Sequence, residues 1–253
     1  MHLFRIFAAC LIALVTASAQ PPGRGPRNVA MGPIYVNSAD PDKAIAFWTD
    51  VIGATADSHG SVNGVSMQGA TILFNRMAPT GPSAGSVIDH IGVTVPDLQP
   101  FIERMAKTGY KSFQPSADRL MIDGPDGLRI ELTEDSSNYA ALQFDHIHFY
   151  TTQPKEMQAW YTKNFAARTG RGERADSSNL GQTALYWSHA DAAAPAAGRA
   201  IDRLSLEIRG LEAFCKNLTD NGVKLDAPYS SGKSVFLTDP WGTRIELTEA
   251  SAR

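Results

Sequence analysis

Four side chains that can bind a metal or transfer a proton lie in runs where apolar and polar residues alternate. His90 follows Asp89 in IDHIGVTV, His146 and His148 lie in QFDHIHFY, and Glu131 lies in RIELTE. Imidazole and carboxylate groups are common ligands of Fe, Zn, Mn, Co and Ni, and they are also common general acids and bases. Because side chains alternate across a strand, each of the four would face the polar side of its own strand.

The segments that carry these residues recur along the chain. RIELTE occurs at residues 129–134 and again, unchanged, at 244–249, and both copies follow a Pro-x-Gly-x segment. The tripeptide Asp-His-Ile occurs at residues 89–91 and 145–147. Internal matches of this kind predict two halves, each made of two smaller units.

Each unit has the same predicted order of elements. An alternating run comes first, an amphipathic helix follows, and short runs broken by Gly, Pro, Asp or Ser complete a βαβββ pattern. The first helix is the clearest, because Asp40 is a typical N-cap and Pro41 a typical first residue. We therefore expect an α+β fold of four βαβββ units, which begin near Ile34, Ile91, Ile147 and Leu204. One helix covers only one face of its sheet, so the units must pair around a cleft that receives the polar side chains.

The N-terminal residues predict export. Arg5 precedes an apolar run at residues 6–15 that is too short to span a bilayer, and small residues near position 19 suit signal-peptide cleavage between Ala19 and Gln20. We expect a signal peptide at 1–19, a Pro/Gly-rich flexible tether at 20–29, and a secreted or periplasmic protein without stable membrane association. The mature chain would keep Cys215 alone, without an internal disulfide and buried on a helix.

Composition excludes some partners and leaves others open. The 253 residues are 43% hydrophobic and 19% charged, with a formal net charge of −3. A protein that neutralises phosphates needs a cationic surface, so a nucleic-acid partner is not expected. A small-molecule substrate or ligand is the expected partner, and the chain could act as a monomer or a homodimer.

The combined motifs resemble the vicinal oxygen chelate superfamily, which includes glyoxalases, extradiol dioxygenases and bleomycin-binding proteins. The resemblance rests on Asp-His-Ile at the start of a unit, on Phe-Trp or Trp-Tyr in a helix, and on Asp-Pro-Trp-Gly at 239–242 before the second RIEL. It covers residues 30–250 and implies curved mixed sheets in two tandem domains, at 30–136 and 143–250. It specifies the fold more closely than the reaction.

The resemblance also implies where metal ligands lie, namely on the first and last strands of a unit. Carried over position by position, it implies His90 and Glu131 in the second unit and His146 in the third. The remaining positions fall at Pro33, about Leu73, about Leu185, Arg203 and Glu246. Of these, Glu246 alone could bind a metal, and Arg203 is expected to pair with it.

How the units pair decides which of these residues meet. Pairing in chain order would give each half one His and one Glu, which is few for a catalytic metal. Crossed pairing, of the second unit with the third and the first with the fourth, would gather His90, Glu131 and His146 in one cleft. We favour crossed pairing because it collects the ligands, and the resemblance allows both.

The histidines can be interpreted as metal ligands or as buried core residues, and each interpretation implies a different function. The first is an exported, metal-dependent enzyme of the lyase, isomerase or dioxygenase type, which chelates adjacent oxygens of a small substrate. His148 and Tyr150 would then be the catalytic candidates, with His148 a general base, a substrate contact or a support for a ligand. The alternative is a metal-free protein that binds or sequesters a small molecule, as bleomycin-resistance proteins do, with His90 and His146 as buried core residues.

Overall fold

The structure, a computed structural model, describes residues 28–170 and 176–251. The predicted signal peptide and most of the predicted tether lie outside these residues, and Val29, at the end of the predicted tether, already belongs to the first strand. Within the two described ranges, no helix is long and apolar enough to cross a membrane.

The elements follow the chain in four units. Unit 1 contains β1 (Val29–Ser38), α1 (Pro41–Phe47), a π-helical turn (Trp48–Ile52), β2 (Thr55–His59), β3 (Val62–Met67) and β4 (Ala70–Arg76). Unit 2 contains β5 (Ile88–Val95), α2 (Gln99–Met105), β6 (Lys111–Ser116), β7 (Arg119–Asp123), a 3-10 turn (Pro125–Gly127) and β8 (Arg129–Glu134). Unit 3 contains β9 (Gln143–Thr151), α3 (Pro154–Phe165), β10 (Arg168–Thr169), β11 (Ser177–Leu180) and β12 (Thr183–His189). Unit 4 contains β13 (Ile201–Ile208), α4 (Leu211–Asp220), β14 (Val235–Thr238) and β15 (Arg244–Glu249).

The βαβββ order predicted for every unit is found in the first three and is wrong for the fourth. After α4, a single bridge between Leu225 and Leu237 lies where the next strand was expected. The following segment contains Pro228, which has no N–H to donate to a ladder, and Gly232, whose φ is 74°. The sheet that contains unit 4 therefore has seven strands rather than eight.

The units pair in the crossed arrangement. The seven-stranded sheet has the order β14-β15-β13-β1-β4-β3-β2, and the eight-stranded sheet has the order β10-β11-β12-β9-β5-β8-β7-β6. The central pairs, β1 with β13 and β5 with β9, are antiparallel, whereas the first and last strands within each unit are parallel. Units 1 and 4 thus share one mixed sheet and units 2 and 3 the other, so each sheet contains one RIELTE strand and draws on both halves of the chain.

The local signals at the first helix are confirmed. The side chain of Asp40 accepts a hydrogen bond from the N–H of Lys43 at 3.3 Å, and Pro41 is the first helical residue. Gly53 ends the π turn with a φ of 91°, a conformation that favours glycine. These signals start and stop the helix so that Trp48 is buried against the sheet.

The helix-covered face of the eight-stranded sheet is apolar, as the alternation predicted. Ile91 on β5 pairs with Ile147 on β9, and both are fully buried, as is Phe149. Phe149 lies against Tyr161 of α3, with ring centroids 5.7 Å apart. In unit 4, Cys215 is a free, buried cysteine on α4, as expected. The polar side chains of β5 and β9 consequently emerge on the opposite face.

Candidate metal centre

Strand register brings the predicted site residues together on that opposite face. On the antiparallel strands β5 and β9, His90 pairs with His148 and Gly92 pairs with His146. On the other side of β5, Gly92 pairs with Glu131 of β8. The three histidines and the carboxylate therefore come from three adjacent strands of units 2 and 3.

The three histidines form one compact cluster. One ring nitrogen from each of His90, His146 and His148 lies within 4.8 Å of the other two. His90 Nε2 is 3.1 Å from His148 Nδ1 and 3.6 Å from the carboxylate of Glu131. His90 and His146 are only 3% and 2% exposed. Buried imidazoles this close, beside a carboxylate, are a donor set that suits a divalent transition metal.

Each Asp-His pair fixes the orientation of its imidazole. The carboxylate of Asp89 lies 2.9 Å from His90 Nδ1, and that of Asp145 lies 2.7 Å from His146 Nδ1. A carboxylate accepts the Nδ1–H of a neutral histidine, which leaves the lone pair on Nε2. In both Asp-His dipeptides the aspartate thus leaves Nε2 for another partner, and the Nε2 of His90 lies beside His148 and Glu131.

The strongest indication that the histidine cluster binds a metal ion comes from His146. Its Nε2 is buried and has no hydrogen-bond partner among the described residues. Its ring lies directly over Gly92, where an added Cβ would come within 2.2 Å of His146 Nδ1. A buried polar atom without a partner is costly, and glycine at position 92 makes the space that the ring needs. The residues present therefore fit a bound metal ion.

His148 also contacts two other residues of unit 3. Its Nε2 is 2.8 Å from the hydroxyl of Ser188, and its ring stacks on Tyr150 with centroids 4.8 Å apart. Burial and the neighbouring charges of His90 and His146 lower the pKa of His148 to about 3. His148 is therefore neutral near pH 7, the state in which an imidazole can bind a metal.

Electrostatics keeps the carboxylate of the site ionised. Burial alone would raise the pKa of Glu131, but a hydrogen bond with His90 and nearby positive charges lower it to about 2. Burial opposes a charge on His90, yet its interactions with Asp89 and Glu131 raise its pKa. The hydroxyl of Thr133 also donates to Glu131 at 3.1 Å.

The structure thus places His90, Glu131 and His146 together, and it adds His148 to the histidine cluster itself. Tyr150 lies at the edge, with its ring centroid 6.3 Å from that of His90. Burial is the main cause that raises the pKa of Tyr150, so its phenol is neutral.

The last-strand ligand position of unit 3, which the sequence placed at about Leu185, is wrong by a single residue. Ile91 pairs with Ile130 next to Glu131, and Ile147 pairs with Leu185 in the same way, so the counterpart of Glu131 in unit 3 is Tyr186 and not Leu185. Leu185 is fully buried on the other face. The ring of Tyr186 stacks on His146 with centroids 4.3 Å apart. Alternation along β12 is the signal that could have identified it.

The seven-stranded sheet has an ion pair at the corresponding place. Arg203 pairs across the sheet with Tyr35, as His90 does with His148. Its Nε donates to Glu246 at 2.8 Å, its Nη1 donates to Asp202 at 3.2 Å, and its guanidinium lies 3.5 Å from the centre of the Tyr35 ring. The predicted ion pair between Arg203 and Glu246 is therefore found.

This ion pair yields a stability prediction. Replacing Arg203 with alanine would leave the buried carboxylates of Glu246 and Asp202 without their cation, so we expect the free energy of unfolding to fall by about 3–5 kcal/mol. Urea denaturation followed by circular dichroism measures this. The control is Arg76→Ala, because Arg76 pairs with Asp42 in solvent, and a surface pair contributes about 0–1 kcal/mol. Equal losses in the two variants would contradict the prediction.

Comparisons with known proteins concern the family and the fold. Residues 30–132 match the family model of the Glyoxalase/Bleomycin resistance protein/Dioxygenase superfamily. A search of proteins with curated functions finds no match.

Solved structures resemble nearly the whole chain. A single-residue variant of glyoxalase I from Zea mays has a TM-score of 0.67 and 13% identity, over 88% of this chain and 94% of its own. Unmodified Zea mays glyoxalase I has a TM-score of 0.64 and 12% identity, over 87% and 92%. The cppA protein from Streptococcus pneumoniae TIGR4 has a TM-score of 0.53 and 10% identity, over 88% and 99%. Likeness at these identities concerns the fold. The family match covers residues 30–132 and the likeness in fold covers nearly the whole chain, and both agree with the resemblance drawn from the sequence motifs.

Proposed function

We propose that the protein is a metal-dependent enzyme of the vicinal oxygen chelate type, of the lyase, isomerase or dioxygenase class, which acts on a small substrate through two adjacent oxygen atoms. His90, Glu131 and His146 would hold the metal, and His148 lies beside them. The observation that carries the proposal is the buried Nε2 of His146, which has no hydrogen-bond partner among the described residues, in a histidine that has a ring nitrogen within 4.8 Å of ring nitrogens of His90 and His148.

The donor set suits Fe, Zn, Mn, Co or Ni, and it does not distinguish among them. Such an ion supplies Lewis acidity toward oxygen atoms of the substrate. The carboxylates of Asp89 and Asp145 hold Nδ1 of His90 and His146 and leave both Nε2 lone pairs available, and Glu131 contributes a negative charge beside His90. The parallel and antiparallel partners of β5 and β9 hold all of these groups on rigid strands.

His148 and Tyr150 are the residues that we assign to handling protons and orienting substrate. When Nε2 of His148 donates to Ser188, the lone pair of Nδ1 faces the cluster. The phenol of Tyr150, which is neutral and half-buried, can donate a hydrogen bond to an oxygen of the substrate.

We also propose that the protein is exported and acts after cleavage between Ala19 and Gln20. The supporting features are Arg5 and the apolar run at residues 6–15. An exported enzyme would meet little glutathione, so we favour chemistry that does not depend on it.

Binding of acetohydroxamate, which presents two adjacent oxygen atoms, tests the proposed function. The full chain is loaded with Co(II), and binding is measured by calorimetry before and after the metal is removed with a chelator. We expect acetohydroxamate to bind the loaded protein, and binding to weaken at least tenfold when the metal is removed. Equal binding with and without metal would favour the metal-free binding protein and contradict the enzyme.

A further inference from the structure

We propose that the substrate is an organic carboxylate with an oxygen on the adjacent carbon, that is, a 2-oxo or 2-hydroxy acid, and that Arg119 pairs with its carboxylate. This inference rests on the proposed function and deepens it, because it names the substrate class and a residue that determines specificity. Arg119 would contact the substrate without binding the metal.

Arg119 is a cation that lies beside the proposed metal ligands. Few of its N–H donors make contacts within the described residues. It lies on β7, and its guanidinium is 3.9 Å from the carboxylate of Glu131, too far for a hydrogen bond. That contact is its single ion pair among the described residues, and its side chain is 50% exposed. A guanidinium has five N–H donors in a planar fork that fits a carboxylate. Arg119 therefore offers most of these donors to a bound anion.

The neighbouring arginine on the same face is engaged differently. The Nε of Arg129 donates to Asp123 at 2.8 Å, a second nitrogen lies 3.8 Å from Asp89, and the side chain is only 25% exposed. Arg129 recurs in the second RIELTE segment as Arg244, whereas the position of Arg119 relative to that segment is occupied by Ser234. Arg119 thus lies in the same half of the chain as Glu131, and the RIELTE strand of that half is the one beside the histidine cluster.

Tyr186 makes the metal position more attractive to an anion. It occupies the place that a second carboxylate would take, as the counterpart of Glu131 in unit 3, so Glu131 is the one carboxylate among the proposed metal ligands. A divalent ion held by one carboxylate retains a net positive charge, so an anionic oxygen of the substrate is favoured.

The strands beyond Glu131 indicate what the rest of the substrate is like. Met121 pairs with Glu131, and Phe113 of β6 pairs with Met121, so the three side chains form one row across the face. Phe113 is 53% exposed, and it is one of four large hydrophobic residues that are exposed within the described part of the chain. An apolar substituent on the acid could lie against it while the carboxylate reaches Arg119.

The test compares two probes of nearly equal shape. Benzoylformate is a 2-oxo acid, and phenylpropanedione carries a methyl ketone in place of its carboxylate. Affinities for the Co(II)-loaded full chain are measured by calorimetry and by the change in the Co(II) absorption bands. We expect benzoylformate to bind at least tenfold more tightly, and Arg119→Gln to weaken it about tenfold or more without changing the affinity for the dione. Arg76→Gln removes an exposed arginine on the other sheet and should change neither affinity.

Two results would overturn this inference alone. Equal or tighter binding of the dione would contradict the substrate class. An equal loss for both probes in Arg119→Gln would contradict the pairing of Arg119 with a carboxylate. If the wild type and the variant each still bind close to one metal ion per chain, such a result contradicts this inference and leaves the proposed function unaffected. A wild-type protein that takes up no metal would overturn the proposed function together with this inference.

Discussion

Replacing Gly92 with alanine is expected to weaken metal binding by at least about tenfold and to destabilise the fold by about 1–3 kcal/mol. A Cβ at this position would come within 2.2 Å of Nδ1 and 2.8 Å of Nε2 in the His146 ring. The ring cannot remain in place, and its displacement would also break the hydrogen bond to Asp145. Overpacking of a buried site typically costs 1–3 kcal/mol, and loss of a ligand's orienting partner typically costs 10- to 100-fold in metal affinity.

Zinc affinity from competition with a chelating dye, together with urea denaturation, measures both effects. Gly109→Ala is the matched control, because nothing lies within 4 Å of a Cβ built there and its φ is not in the left-handed region. Wild-type metal affinity in Gly92→Ala would mean that the ring of His146 is not part of the metal site.

Replacing His146 with alanine is expected to lower zinc affinity by more than about 100-fold, while the chain stays folded. The substitution removes a ligand nitrogen itself, so the loss should exceed the 10- to 100-fold that follows from losing a partner of a ligand. It also removes a buried polar atom that has no hydrogen bond within the described residues. The stability of the metal-free protein should therefore change less than its metal affinity.

Two further variants locate the site. His189→Ala removes a histidine whose side chain is 62% exposed, and it should leave zinc affinity unchanged. Glu246→Ala removes the carboxylate of the other sheet, where Arg203 occupies the ligand position, and it should also leave zinc affinity unchanged. A large loss in Glu246→Ala, or none in His146→Ala, would place the metal elsewhere.

The fold was largely predictable because its signals are local and repeated. The Asp40 cap, the Gly53 terminator and the alternation around Ile91 and Ile147 each specify an element or a face independently of the others. The crossed pairing was harder, because both ways of pairing the units bury similar apolar faces. It was favoured only because it gathers His90, Glu131 and His146, and the strand order agrees with that choice.

The site was less predictable at two positions, for different physical reasons. Tyr186 was missed because side chains alternate with a period of two, so placing the register one residue away at Leu185 turns the wrong face toward the cleft. His148 was predicted to line the cleft, but alternation alone could not show that its Nδ1 lies 3.1 Å from His90 Nε2. That distance depends on which residue of β5 pairs with which residue of β9.

The central claim is a metal centre at the histidine cluster, and its most direct test is the metal content of the full chain. The protein is purified without chelator and loaded with Zn(II), Co(II) or Fe(II) in turn. Its metal content is then measured by inductively coupled plasma mass spectrometry. A single site in the sheet of units 2 and 3, with an Arg203–Glu246 ion pair in the other sheet, predicts close to one metal ion per chain for at least one of these metals. A ratio near zero with every metal would contradict the metal centre, and a ratio near two would contradict the assignment of the second sheet.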